Sequence, residues 1–258
     1  VHPHELLAVG YFVALAVVTR KARADESHRR RAMRFAVLTA GAVIASAYLL
    51  PERARAWMPL AYLVLGYWIP AILTPSKPDP AFEAWLRQTD AAWGLASPRV
   101  PMWLRQPLEL AYLLCYPLVP AAFAVVRILG GESDVERFWL AILLAGYACY
   151  ATVPWLVSRP PRLMTPSTEA GGALAAFNTR VLGRVSHQLT TFPSGHVAVA
   201  AAAALTVWPV SAPAGAAIAV VAAGIAAGAV AGRYHFAVDV VLGAVVGVVA
   251  VLVSVPQG

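Results

Sequence analysis

The chain has 258 residues, 60% of them hydrophobic and 13% charged, with a mean hydropathy of +0.66. These proportions exclude a soluble globule, because so much apolar side chain needs a bilayer to cover it. The net charge of +7 lies in short loops between apolar runs, which is the pattern of membrane orientation and not of a nucleic-acid-binding stripe.

Apolar runs at 5–19, 35–50 and 59–74 come first, separated by a dense positive loop (Arg20, Lys21, Arg23, Arg29, Arg30, Arg31, Arg34) and by Pro51-Glu52-Arg53-Ala54-Arg55. No charged leader followed by a cleavage-site pattern marks a removable signal peptide. The stretch 75–107 changes character. After Ser76-Lys77-Pro78-Asp79-Pro80 it mixes Phe82, Trp85, Leu86 and Trp93 with Glu83, Arg87 and Asp90. That mixture suits a helix lying in the membrane interface, read here as an amphipathic connector. Runs at 108–129 and 137–157 follow, the first carrying Glu109, which is read as marking a helix's first turn. Cys115 and Cys149 both fall inside these runs, so neither a disulfide framework nor a thiolate metal site is expected. The fifth run delivers the chain to Ser158-Arg159-Pro160-Pro161-Arg162, a stiff turn whose arginines suit a planar, bidentate grip on phosphate.

The loop 163–192 holds Gly171-Gly172, Arg180, Arg184 and His187 and is expected to form a short interfacial helix with a hinge. The last runs, 193–209, 213–231 and 235–254, are built from Ala, Val and Gly, which let membrane helices pack closely. A hairpin through Pro209–Pro213 returns the chain to the face it left. The expected fold is therefore all-α: a polytopic membrane bundle of about eight spans, with a six-helix core and added N-terminal helices. It forms one domain over 1–258, with a catalytic core at 108–254 and a connector at 75–107. The Lys and Arg balance favours the cell membrane with the site on the cytoplasmic face.

Chemistry concentrates at two run boundaries. Phe192-Pro193-Ser194-Gly195-His196 opens one helix, where the Ser194 and Gly195 amides can cradle an anion and His196 faces it. In Gly232-Arg233-Tyr234-His235-Phe236-Ala237-Val238-Asp239, His235 and Asp239 are four apart, so the carboxylate can orient the imidazole. Two histidines, a carboxylate and an anion cradle suit phosphoryl transfer. A transporter path lined by His and Arg, or a metal site of His196, His235 and Asp239, uses the same residues differently.

At these residues the chain resembles the type 2 phosphatidic acid phosphatase superfamily of membrane lipid phosphatases and phosphotransferases, with its motifs KxxxxxxRP, PSGH and SRxxxxxHxxxD. Pro193–His196 matches the second intact, and His235 and Asp239 match the end of the third. Thr152 stands where the first motif has Lys, although Arg159-Pro160 fits its end, and Ala229 stands where the third has Arg. Arg162 and Arg233 are the cations at hand to replace them. The resemblance implies His235 as nucleophile, oriented by Asp239, with His196 as acid and base. It also implies phosphate held by Arg159 or Arg162, Arg233, Ser194 and Gly195, with neither cofactor nor metal. The implied substrate is a lipid phosphate among membrane lipids. The compact Arg233–Asp239 ending is also similar to that of inositol-phosphoceramide and sphingomyelin synthase-like phosphotransferases.

Overall fold

The computed structural model describes residues 1–75, 77–96, 100–164, 174, 176–180 and 189–254. The apolar runs are helical. The first half comprises α1 (Pro3–Val18), α2 (Glu26–Leu49), the short α3 (Glu52–Arg55), α4 (Met58–Ala71) and α5 (Pro80–Ala92). Then come α6 (Met102–Leu113), α7 (Cys115–Leu129), α8 (Glu132–Tyr150) and the short α9 (Pro161–Met164). After them, α10 (Gly195–Val207), α11 (Ala212–Ala231) and α12 (Ala237–Val253) complete the bundle. The one sheet among the described residues is a two-residue ribbon, with β1 (Val157–Ser158) antiparallel to β2 (Thr190–Thr191). The all-α expectation holds.

The span count does not. By length and composition, α2 and α11 can each cross a membrane, and α6 with α7, bent by 58°, can count as a third. Eight was too many because an apolar run is not yet a span. The 13 residues of α10 rise about 20 Å at 1.5 Å each, short of a core of roughly 30 Å. α8 opens with Glu132, Asp134, Glu136 and Arg137, and α4 is shorter still than α12. The protein is a membrane protein on the strength of its long apolar helices, but loop-by-loop charge counting across eight spans loses its basis. The run at 108–129 also proves to be two helices, which meet at Leu114.

α10 is the centre of the bundle and packs against α7, α8, α11 and α12. Its contact with α12 is backbone-close. A Cβ on Gly243 would lie 2.6 Å from the carbonyl oxygen of Ser194, and one on Gly247 would collide with the carbonyl of Ala198. Gly243→Ala is accordingly expected to cost about 1–3 kcal/mol, because backbone, unlike a flexible side chain, cannot swing away. A thermal melt in detergent checks this, and a wild-type midpoint would contradict it.

At the other end of the chain α1 is tied down by charge. Glu5, only 1% exposed, receives Nε and Nη2 of Arg55 at 2.6 and 2.5 Å, and His4 Nδ1 lies 2.7 Å from Glu136. His2, His4 and Glu136 form the one group among the described residues whose His and carboxylate ligand atoms converge within 4.8 Å. His196, His235 and Asp239 do not converge in that way.

Candidate active site

The site assembles from three loops that secondary structure brings together. The β1–β2 ribbon pairs Val157 with Thr191 and Ser158 with Thr190, setting the Arg159–Arg162 turn beside the start of α10. Thr152, standing where the family pattern has lysine, is a fastener: its hydroxyl lies 2.5 Å from the carbonyl of Phe192 and 2.7 Å from that of Cys149. The α10–α11 hairpin then returns the chain, as expected, so that the His196 and His235 rings stand 6.3 Å apart between centroids.

How α11 ends decides where Arg233 goes. The Tyr234 N–H donates to the carbonyl of Ala229 at 2.9 Å and that of Arg233 to Val230 at 3.0 Å, a Schellman closure. The position after the cap must then be left-handed, and Arg233 takes it with φ of 56° where glycine is usual. A side chain held there at a conformational cost points to a use for that side chain. Ala229, at the family's arginine position, is fully buried in α11 and supplies the carbonyl for this turn. Arg233 Nη2 donates to the carbonyl of Pro161 at 3.0 Å, and the Arg162 N–H donates to the carbonyl of Arg233 at 3.1 Å, so the two arginine loops brace each other.

His235 and Asp239 are 5% and 0% exposed. The ring Nδ1 lies 3.3 Å from Asp239 Oδ2, which also accepts the N–H of Phe236 at 3.3 Å. An ionised carboxylate only accepts, so this pairing places the proton on Nδ1 and leaves Nε2 with its lone pair. His196 stands on the first turn of α10, flanked by Tyr112 and Tyr116, each 5.9 Å away between ring centroids.

The arginines of the stiff turn separate. Arg159, with its side chain 52% exposed, is bound to Glu83 of α5 through Nη2 at 2.7 Å, Nε at 3.1 Å and its own N–H at 2.9 Å. Arg162 lies 4.3 Å over the Tyr234 ring, and its buried Nε and Nη1 have no hydrogen-bond partner among the described residues. Buried guanidinium donors of this kind suit an anionic acceptor.

The open amides lie two residues beyond the expected ones. The Ser194 N–H donates to the Asp239 carbonyl at 3.0 Å and that of Gly195 to Thr191 Oγ1 at 3.3 Å, so neither amide is open. The helix start needs those bonds to fasten the loop to α12. What stays open is Ser194 Oγ, buried and without a partner among the described residues. The N–H groups of His196 and Val197 also carry no bond among the described residues.

Several residues were misread or passed over in the sequence. Glu109 sits inside α6, not on its first turn; it accepts the Tyr234 hydroxyl at 2.6 Å and is bonded by the Asn178 amide. Tyr234 in turn stacks on Tyr112 at 4.2 Å, so Glu109 fixes the ring over which Arg162 lies. A lone carboxylate in an apolar run was signal enough. Residues 176–180 are helical, and Asn178 is fully buried there; Gly171, Gly172, Arg184 and His187 lie outside the described residues. Within the stretch 75–107, α5 is an amphipathic helix that buries Glu83 and Asp90 against the site.

An apolar cavity of about 350 Å³ adjoins the site. Gly195 and His196 line it, together with Tyr67, Trp68, Val119 and Val199.

Residues 137–257 match the family model described as the PAP2 superfamily. That match, over a little under half of the chain, is consistent with a member of the PAP2 superfamily. Members of that superfamily are phosphatases or phosphotransferases, which supports an enzyme of that broad kind. The matched segment contains Arg159, Arg162, Pro193–His196, Arg233, His235 and Asp239, while α1–α7 lie before it. No curated protein and no solved structure matches the chain.

Proposed function

We propose that this PAP2-superfamily protein cleaves the phosphate ester of a membrane lipid through a phosphohistidine on His235. The observation that carries the lipid assignment is the apolar cavity that His196 lines, beside the His235–Asp239 pair. An apolar tail lying there delivers its phosphate to the polar end of the bundle.

Arg162, Arg233, Ser194 Oγ and the His196 and Val197 amides hold the phosphoryl oxygens. His235 Nε2 attacks phosphorus in line, the phosphorus–oxygen bond to the lipid breaks, and His196 gives its proton to the departing alkoxide. Neutral His196 then takes a proton from water as that water attacks the phosphohistidine, releasing phosphate and restoring both rings. The buried Asp239 carboxylate stabilises the charge that His235 gains. An acceptor alcohol in place of water gives the phosphotransferase outcome, and the compact Arg233–Asp239 ending is the feature that favours it.

The test is phosphate release over a panel of long-chain and short-chain phosphate monoesters, with and without acceptor alcohols. Val199→Phe, which fills the cavity, is expected to raise KM for long-chain substrates by about tenfold or more while short-chain turnover stays near wild type. Equal effects on both chain lengths would remove the cavity from substrate binding.

A further inference from the structure

α5 precedes the matched segment, yet it touches every loop of the site. We propose that α5 is a strap that positions the His235–Asp239 pair, with Asp90 as its positioning residue. The proposal rests on the phosphoryl-transfer reading of that pair.

One face of the helix makes all the contacts. Asp90 accepts the Ala237 N–H through Oδ1 at 2.9 Å and Oδ2 at 3.2 Å. That amide opens α12, two residues after His235 and two before Asp239. One turn back, Leu86 is fully buried and packs with Phe236 and Val238. Another turn back, Glu83 holds the backbone and guanidinium of Arg159. Beside it, Phe82 and Trp85 set their rings edge-on to Phe192, at 5.2 and 5.8 Å, just before Pro193. Residues three, four and seven apart share a helix face, so a single rigid element fixes the arginine turn, the Pro193–His196 turn and the His235 turn.

A plain amphipathic connector would turn its carboxylates to water. Glu83 and Asp90 are instead 4% and 5% exposed, which costs free energy unless each has specific partners. Burial alone raises the Glu83 carboxyl, but the bonds from Arg159 outweigh it and hold the group below the usual carboxylate range. Asp90 goes the other way, to about 6. Burial and the nearby charge of Asp239 raise it, against the pull of the Ala237 and Val238 amides. A second buried carboxylate beside Asp239 is tolerated because it closes the start of α12. Without it the Ala237 amide is left buried and unpaired, and it competes for the Asp239 carboxylate that holds His235.

The experiment uses the full chain in detergent and compares wild type, D90A, D90N and E83A. It measures phosphate release from phosphatidic acid in mixed micelles, and amide exchange across 235–240. D90A is expected to lower kcat about 10- to 100-fold, as a misplacement near 1 Å does, with KM held within about threefold. Exchange at 236–240 should quicken about fivefold or more, the loss of one cap, while α2 exchanges as in wild type. D90N keeps an acceptor for the Ala237 amide and should restore kcat to within about threefold of wild type. Wild-type kcat and exchange in D90A, or equal damage in D90N and D90A, would overturn the proposal. If D90A does not fold, E83A reads the strap from its other end, through faster exchange over 157–162 and a lower kcat; no change in either overturns it. A wild-type chain that releases no phosphate counts against the phosphatase reading alone, and exchange then decides on the strap.

Discussion

His235→Ala is expected to lose nearly all turnover while the protein still folds. In the proposed mechanism the imidazole is the attacking group, so its removal takes away the covalent step and not merely a contact. There His235 and His196 act in sequence on one bond, so His196→Ala should be nearly as severe and the double variant little worse than either, as for catalytic groups that work as a unit. The rings lie 6.3 Å apart, leaving room for a phosphoryl group between them. The measurement is initial phosphate release by purified protein, with size exclusion and a melt in detergent to establish folding. Acid quenching during turnover should trap an acid-labile phosphoenzyme in wild type and none in His235→Ala. Substantial turnover in the folded His235→Ala variant would remove the phosphohistidine.

The second large effect is expected at Arg162 and not at Arg159. Truncating Arg162 to alanine should cost about 2–4 kcal/mol of transition-state stabilisation, the scale of a lost oxyanion donor. Its Nε and Nη1 are buried and without partners among the described residues, and Tyr234, fixed by Glu109, holds its plane. Lysine should rescue little, since an ammonium lacks both the planar fork and the fit to an aromatic face. Arg159→Ala should cost less than tenfold, because that guanidinium is half exposed and already bound to Glu83. Steady-state kinetics on the two variants decide the matter, and the reverse order would move the phosphate grip to Arg159.

The helices were legible because each is written in a contiguous apolar run with polar or Pro-containing ends. The Pro193–His196 turn and the His235–Asp239 pair were legible for a related reason: their geometry is local, with four residues making one helical turn. Glu83, Asp90 and Glu109 were passed over because nothing near them in sequence names a partner. Asp90 meets Ala237 across 147 positions and Glu109 meets Tyr234 across 125. The number of spans failed for a different cause. Hydropathy marks where a run is apolar, but the helix caps and the Leu114 bend set how long each helix is.

The sequence by itself determined an all-helical membrane protein, the His235–Asp239 pairing, and a hairpin that returns this pair to the end of the bundle that holds His196. Periodicity and residue type carry that much, since both act over a turn or two of helix. Only the tertiary structure decided which arginine donors stay open, that Thr152 bonds the Phe192 carbonyl where the family has lysine, and that the Ser194 and Gly195 amides are committed while Ser194 Oγ is not. The partners in those cases come from distant segments, and a buried polar group is committed or left open only when the packing around it closes.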